Sequence, residues 1–501
     1  MISAKIEDFK IALRDLSEIC RAASFVFLVP IIFTLYYAGD YGYSLISLTA
    51  RMSAFIIPTI ILYLFHFVLK RIKSDREART RHIMITVSLA WIIITLVGSL
   101  PFILTRTLSP LDAVFESVSG WTTTGLTMIR NPEFLAQNYE RDILFYRSFT
   151  QWVGGIGIVV LALFVFMRRG TIAMDYYAFE KGEQRIKPRL KSTIMETWKI
   201  YIVYTIACIV LLSICGVELF DSINHTFTAI ATGGFSTYSD SAGHFNEYPN
   251  SLLIHIILMV FMLIGSISFL IHFRLLEGNY KEFIRNVEAK YFFSILILSI
   301  LMISIILFVN GNEKNFINSL RKSMFHSISA ATCTGLSIED IDNWPDSSKS
   351  ILMLLMYIGG FYGSTAGGIK VLRFVLMVNV ISHCIKRLSL PRSAVLRIKI
   401  GEKQVEGEDI IYASALSMVY ILISVIGALI LMDIGFNGTQ SMFLSLSAMG
   451  NVGLNPVPSE QWFAIGPVGK ITLIFLMLVG RLEIFPILVL VSSIIYRGRR
   501  F

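Results

Sequence analysis

The stretch WTTTGLTM, Trp121 to Met128, lies between two apolar segments and resembles neither of them. Three threonines and a glycine are poor helix formers, and they bring polar groups into an apolar chain. Three similar stretches follow: ATGGFST at Ala231–Thr237, ATCTGLS at Ala331–Ser337 and MGNVGLN at Met449–Asn455. Their shared glycines are Gly125, Gly234, Gly335 and Gly453. The steps between them are about 100 to 120 residues, far longer than a solenoid repeat, so each unit is a whole helical module.

The segments before these glycines are LDAVFESVSGW, DSINHTFTAIA, FINSLRKSMFHSISAA and NGTQSMFLSLSAMG. Each is roughly 10 to 15 residues of moderately apolar helix, and a span needs about 20. Asp221 is the expected N-cap of the second. Such a segment fits a re-entrant half-helix that stops within the membrane and returns as extended backbone. Non-helical backbone at that depth is tolerated only where it lines a watery path or is buried in protein.

The composition agrees with a membrane setting. The 501 residues are 54% hydrophobic and 16% charged, with a mean hydropathy of +0.66. Candidate spans fall at about 22–38, 44–70, 82–104, 146–167, 198–217, 252–273, 290–310, 351–382, 409–433 and 468–495. The expected fold is an all-α polytopic membrane protein: two leading helices (1–75), then four helix–pore-loop–helix modules with pseudo-fourfold symmetry (76–180, 181–285, 286–400 and 401–501).

The net charge of +9 comes from basic loops beside apolar helices, which is a topology signal rather than a nucleic-acid footprint. The basic stretches are Lys70–His82, Met167–Gly170, the set Arg185, Lys187, Arg189 and Lys191, the set Lys386, Arg387, Arg392 and Arg397, and the tail YRGRRF. They put alternate loops and both termini in the cytoplasm; Arg321 and Lys322 fall on the outer side against this bias. The five cysteines show no paired spacing, and the mixed-charge N-terminus has no signal-peptide core. The eight histidines show no metal-ligand spacing, with His225 and His326 read as packing or capping residues, and no nucleophile–base pair suggests an enzyme.

The tetrads Thr122–Thr123–Thr124–Gly125, Ala231–Thr232–Gly233–Gly234, Thr332–Cys333–Thr334–Gly335 and Gly450–Asn451–Val452–Gly453 suit a dehydrated monovalent cation. Extended backbone offers carbonyl oxygens in place of water. Glycine permits the required conformations and keeps the lining narrow. The half-helices would direct their partially negative C-termini at the ion. No carboxylate lies in any tetrad, which argues against a charged-ring filter.

A second unusual element is GGFYGSTAGGIK, Gly359–Lys370, inside a segment too long for one plain helix. Ser364 and Thr365 sit among Gly359, Gly360, Gly363, Ala366, Gly367 and Gly368. It is either a kinked helix packed through small residues or an unwound loop below the tetrads. A phosphate-binding loop is excluded, because Ile369 separates Gly368 from Lys370 and no strand precedes it. Arg481 and Glu483 fall within the last apolar segment, where charges face a cavity or a partner such as Lys370.

The tetrads, in this order, resemble the selectivity filters of the Trk/Ktr/HKT superfamily of potassium transporters, and the closest likeness is to the TrkH/KtrB family. SFTQWVGGIGIVVL (Ser148–Leu161), FDSINHTFTAIATGGFST, MYIGGFYGSTAGGIKVLR (Met356–Arg373) and GRLEIFPILVL (Gly480–Leu490) carry the likeness from about residue 80 onward. The two leading helices resemble TrkH, and GNVGL resembles KtrB. The resemblance implies a potassium uptake protein of the cell membrane with potassium bound at the four tetrads; glycine rather than serine at Gly125 implies potassium preference and leaves sodium permeation open. It also implies that Gly359–Lys370 is an intramembrane gating loop and Arg481 a positive barrier in the pore, with Glu483 a structural partner. It further implies a homodimer in membrane lipid and a separate cytosolic TrkA- or KtrA-like ring binding ATP/ADP or NAD(H). No cofactor is expected in this chain; potassium is its substrate. The rival reading is a proton- or sodium-coupled symporter, which would call for inverted repeats and more intramembrane carboxylates. A non-transporting scaffold would have no use for four such stretches.

Overall fold

The computed structural model describes residues 2–39, 42, 44–72, 78–137, 140–166, 190–313, 315–391, 398–400, 403–405 and 407–495. The basic residues of 73–77, 167–170, Arg185, Lys187, Arg189, Arg392, Arg397 and the tail 496–501 lie outside the described residues. The chain is nearly all helix; Lys399–Ile400 and Lys403–Gln404 form one short antiparallel pair.

Four modules each contain an outer helix, a pore helix and an inner helix. The pore helices are Pro110–Trp121, Leu219–Ile230, Phe316–Ala331 and Gly438–Met449. Three have 12 residues and one has 16. Twelve residues extend about 18 Å, short of a membrane's ~30 Å apolar thickness. Their starts are set locally. Ser109 caps the first, with Pro110 at N1. Asn315 accepts the Ile317 N–H at 3.0 Å. Asn437 and Gln440 form a reciprocal capping box. Asp221 is not the cap of the second. That helix begins at Leu219, so Asp221 falls in its first turn, and its carboxylate accepts the hydroxyls of Thr237 and Tyr238 at 2.7 and 2.6 Å.

Each pore helix packs between the inner helix of its own module and that of the preceding one, and the first packs against the inner helix of module 4, which closes the ring. The outer helices Thr80–Gly98, Leu190–Ile214, Val287–Val309 and Gly407–Asp433 lie around this ring. The last three carry exposed Leu, Ile and Val side chains, as a lipid boundary requires, whereas Thr80–Gly98 is covered by Ile2–Val26 and Phe485–Ile495.

Among the described residues, six helices are long and apolar enough to cross a membrane, or eight if two bent pairs each count as one span. Those pairs correct the expectation of unbroken spans at 252–273 and 468–495. Ser251–Ser266 and Phe269–Leu276 meet at 107°, and Pro467–Arg481 and Phe485–Ile495 at 109°. The inner helix of module 1, Arg141–Phe166, departs from helical geometry at Gly157, with φ 89° and ψ 144°. The inner helix of module 3 divides into Asp346–Ile358 and Val371–Ser389. All four inner helices are therefore interrupted, where the sequence singled out one.

The first leading helix also starts earlier than residue 22. Ile2–Val26 is helical, and Val29–Tyr37 continues it past a two-residue break. Charge pairing allows this polar segment to pack. Arg14 bonds Asp15 at 3.0 Å, and Asp8 meets His82 of the first outer helix at 2.8 Å. Arg51, on Leu45–Leu69, reaches Asp142 and Glu140 at 2.7 and 3.1 Å and ties the leading pair to the start of the first inner helix.

Candidate functional site: the ring of four tetrads

Each pore helix ends in the same way. The second residue of each tetrad, Thr123, Thr232, Cys333 and Asn451, is left-handed, with φ of 55°, 53°, 55° and 51°. The N–H of the third residue bonds a carbonyl five residues back: Thr124 to Ser119, Gly233 to Thr228, Thr334 to Ser329 and Val452 to Ser447, at 2.8–2.9 Å. The second residue bonds three back, to Gly120, Ala229, Ala330 and Ala448. This is the Schellman termination, normally built on glycine. Asn451 adopts it readily; for β-branched Thr123 and Thr232 it stores roughly 1–3 kcal/mol of strain that the surrounding contacts must hold.

The fourth residue is glycine in every tetrad, again at positive φ: 91°, 77°, 84° and 96° for Gly125, Gly234, Gly335 and Gly453. A side chain there would strike the third-position carbonyl of the next module. Gly125 faces the Gly233 oxygen, Gly234 that of Thr334, Gly335 that of Val452, and Gly453 that of Thr124. The four contacts run once round and close. Within each tetrad the other three residues are buried and only the glycine is partly accessible. Four backbone strands thus meet edge to edge around one opening, with glycine at the lumen and carbonyl oxygens at every seam. Such a ring can replace part of a cation's water shell.

Side chains fix the strands from behind. Thr122 and Thr124 hydroxyls pair at 2.8 Å, as do those of Thr332 and Thr334. The Asn451 amide donates to Thr124 Oγ1 and to the Met477 carbonyl, both at 2.9 Å, and links module 4 to module 1. Ala231 and Gly450 take the C-cap positions of their pore helices.

Directly below lies Gly359–Lys370, and it is not a kinked helix. Its two ends touch, Gly359 against Gly367 and Gly368, and Ile369 N–H bonds the Tyr357 carbonyl at 3.0 Å. Positive φ at Gly359, Gly363, Gly368 and Lys370 lets the chain double back. Thr365 is the central contact. Its hydroxyl lies 3.1 and 2.9 Å from the carbonyls of Ile230 and Gly265 and 3.2 Å from Thr232 Oγ1, beneath the second tetrad. Gly367 lies against the Gly450 carbonyl of the fourth tetrad. Gly360 packs against Ala366 and the Ser266 carbonyl, the Ser364 hydroxyl bonds Phe361 O at 2.7 Å, and the Lys370 ammonium folds back onto the Ala366 carbonyl.

Arg481 is at the break of the module 4 inner helix, not inside a continuous span. It donates to Thr365 O at 3.1 Å, to Gly155 O at 3.2 Å and to Gly154 O. One guanidinium therefore joins the interruptions of modules 1, 3 and 4, and it lines a cavity under the ring together with Trp91, Gly367, Lys370 and Asn451. Glu483 does not pair with Lys370 or Arg481 by hydrogen bond; it binds Arg373 at 2.7 Å. Arg373 also reaches the Tyr362 hydroxyl at 3.3 Å, so this pair ties the loop's first half to module 4. His225 and His326 are buried in their pore helices; His225 Nδ1 donates to the Asp221 carbonyl and its Nε2 pairs with the Ser236 hydroxyl, both at 2.9 Å, while His326 lies against the carbonyls of Lys322 and Glu339 at 2.9 and 3.3 Å.

Sequence reasoning missed the braces on the first inner helix. Arg147 forms a buried pair with Glu116 at 2.5 Å, and Glu116 also holds Met128 N–H at 2.8 Å at the outer end of the first strand. Gln151 bonds the second strand. The signal was available: an arginine and a glutamine four residues apart in RSFTQW, just before a run of small and apolar residues.

The family model for TrkH, described as a cation transport protein, matches residues 51–499. An uncharacterized cation transporter of Methanocaldococcus jannaschii is 34% identical over 495 residues, 99% of this chain and 98% of that one. The Trk system potassium uptake protein TrkH of Escherichia coli is 32% identical over 433 residues, 85% of this chain and 88% of its own length. Among solved structures, the potassium transporter TrkH from Vibrio parahaemolyticus superposes with a TM-score of 0.82 at 29% identity, covering 98% of this chain and 100% of that one.

Proposed function

The chain belongs to the TrkH family of cation transport proteins, and from that premise we propose that it carries potassium ions into the cell through the ring of four tetrads. The observation that carries this reading is the closed circuit of glycine-to-carbonyl contacts, Gly125 to Gly233, Gly234 to Thr334, Gly335 to Val452 and Gly453 to Thr124. A selectivity filter needs oxygen ligands held at fixed spacing, and this circuit seats each third-position carbonyl against the glycine of its neighbour.

Gly359–Lys370 is the gate of this pore. It closes the path below the second and fourth tetrads through Thr365 and Gly367, and Arg481 holds it there. The arginine charge opposes a cation in the cavity, and its three carbonyl contacts give the closed state a latch that opening must break. Both termini lie in the cytoplasm, the protein works as a homodimer, and a separate TrkA- or KtrA-like ring that binds ATP/ADP or NAD(H) moves the gate from the cytosolic side.

Flux into liposomes holding the purified protein tests this reading, with potassium compared against sodium and with or without a proton gradient. Potassium-selective flux that needs no proton gradient supports the gated pore. Flux that requires protons or sodium supports the coupled symporter. Equal passage of potassium and sodium would refute the assignment of the tetrads.

A further inference from the structure

Four seams join neighbouring strands of the ring, and one is built differently. On three inner helices a glycine abuts the last pore-helix carbonyl: Gly154 against Trp121, Gly265 against Ile230 and Gly480 against Met449. Three and seven residues before it stand Gln151 and Arg147 in module 1, Met262 and Leu258 in module 2, and Met477 and Leu473 in module 4. The same steps back from Gly359 in module 3 give Met356 and Leu352. All eight side chains are buried. Three modules use Met and Leu, and only module 1 places an amide and a guanidinium there.

Both polar groups reach into the second strand. Gln151 Nε2 donates to Gly233 O at 2.5 Å, and its Oε1 accepts from Phe235 N–H at 3.0 Å. Arg147, one turn earlier, donates to Ser236 O at 2.7 Å, and its guanidinium lies 3.8 Å from the Phe235 ring centroid. Glu116 balances its charge. The Gly233 oxygen is also the one that abuts Gly125, at the seam between modules 1 and 2. Among the described residues no side-chain donor reaches the matching oxygens of Thr124, Thr334 or Val452. Gly233 itself has no room for a side chain, because a Cβ there would run into the Gln151 amide.

We propose that Gln151 is a specificity-determining positioning residue: its amide pins the Gly233 carbonyl, sets the width of that one seam, and so sets the preference between potassium and smaller monovalent cations. This rests on the proposed filter. A pinned oxygen cannot move inward to follow a smaller ion, whereas a carbonyl without a donor can. The Gln151 side chain does not touch the ion; it acts through Gly233.

The test uses the full-length protein in detergent and reads the rise in melting temperature with added potassium or sodium, which needs no open gate. Wild type should be stabilised at lower concentrations of potassium than of sodium; if it prefers neither, the proposed function fails, whatever Gln151 does. Q151M installs the residue of the other three seams at nearly equal volume, and the potassium-to-sodium affinity ratio should fall about tenfold, the scale of one buried hydrogen bond. In Q151E a protonated carboxyl can still donate to Gly233 O, while an ionised one repels it, so the ratio should be near wild type at low pH and fall as pH rises. A Q151M ratio equal to wild type overturns the proposal, as does a variant that is merely less stable with its ratio intact. A Q151E ratio that ignores pH overturns it independently.

Discussion

Two glycine substitutions separate the strain of an unusual backbone conformation from the geometry of the ring. Gly125 and Gly216 have the same φ, 91°. Gly216 lies in an exposed turn before the second pore helix, and nothing lies within 4 Å of a Cβ built there. Alanine at either position incurs backbone strain of about 1–3 kcal/mol. At Gly125 the new methyl also meets the Gly233 carbonyl, which would have to retreat by about 1 Å to reach ordinary contact. That oxygen is held from behind by Gln151 at 2.5 Å, so it cannot retreat without breaking a buried hydrogen bond, a further ~1 kcal/mol or more. The ring relaxes instead by opening the seam between modules 1 and 2. Gly216→Ala should therefore lower the melting temperature and leave the ratio of potassium to sodium flux in liposomes as in wild type. Gly125→Ala should lower that ratio by about tenfold, since ~1.4 kcal/mol of differential ion binding is one decade. If both variants keep the wild-type ratio, the ring is not where ions are distinguished, and the central argument for the pore fails.

Four other substitutions, two of them also combined, address the parts below the ring. Arg481→Ala removes the charge and the contacts to Thr365, Gly154 and Gly155, and resting potassium flux in liposomes should rise about tenfold, the scale of one charge-assisted hydrogen bond lost. Glu483→Leu alone leaves Arg373 buried without its carboxylate and should cost about 3–5 kcal/mol, seen as a lower melting temperature, while the pair Arg373→Met with Glu483→Leu should recover most of it. Gly367→Ala puts a methyl against the Gly450 carbonyl and should depress flux while the outer strands stay intact; unchanged flux would show that the loop does not set passage.

The pore architecture was legible because its signals are local. A pore helix too short to span and a glycine-ended tetrad after it lie within about twenty residues, four times over. Left-handed residues at Thr123, Thr232 and Cys333 were not legible, because threonine and cysteine carry no marker for that conformation; the helix-terminating hydrogen bonds impose it. The breaks at Ser266–Ser268 and Arg481–Ile484 were hidden for a related reason. GSISF and GRLEIF contain no proline to stop a helix, and the interruption comes with tertiary partners such as Phe361 N–H bonding Ser266 O at 3.0 Å. Asp221 was misplaced because its chemistry suits a cap, but its carboxylate is committed to Thr237 and Tyr238 instead. Charge pairs between residues far apart in the chain, Arg51 with Asp142 or Lys470 with Asp112, leave no trace in a single sequence.

What the breaks have in common explains why one chain carries all four modules. Each inner helix is interrupted just below the ring, so the basic plan is fourfold, but the interruptions differ in kind. Module 1 has a single non-helical glycine, modules 2 and 4 have sharp bends, and module 3 has a twelve-residue loop, Gly359–Lys370. Four copies of that loop could not share the space beneath the opening, where one already contacts Ile230, Gly265, Gly450 and Arg481. Four copies of Arg481 would put four guanidinium groups into one small cavity, a like-charge cluster with heavy desolvation costs. A homotetramer must repeat both features or have neither. A covalently joined set of modules can place the loop once and the arginine once, in neighbouring modules, where the Arg481 guanidinium meets the Thr365 carbonyl. The same freedom lets Gln151 stand at one seam and methionine at the corresponding place in the other three modules, so that an otherwise fourfold ring carries a different chemistry at one edge.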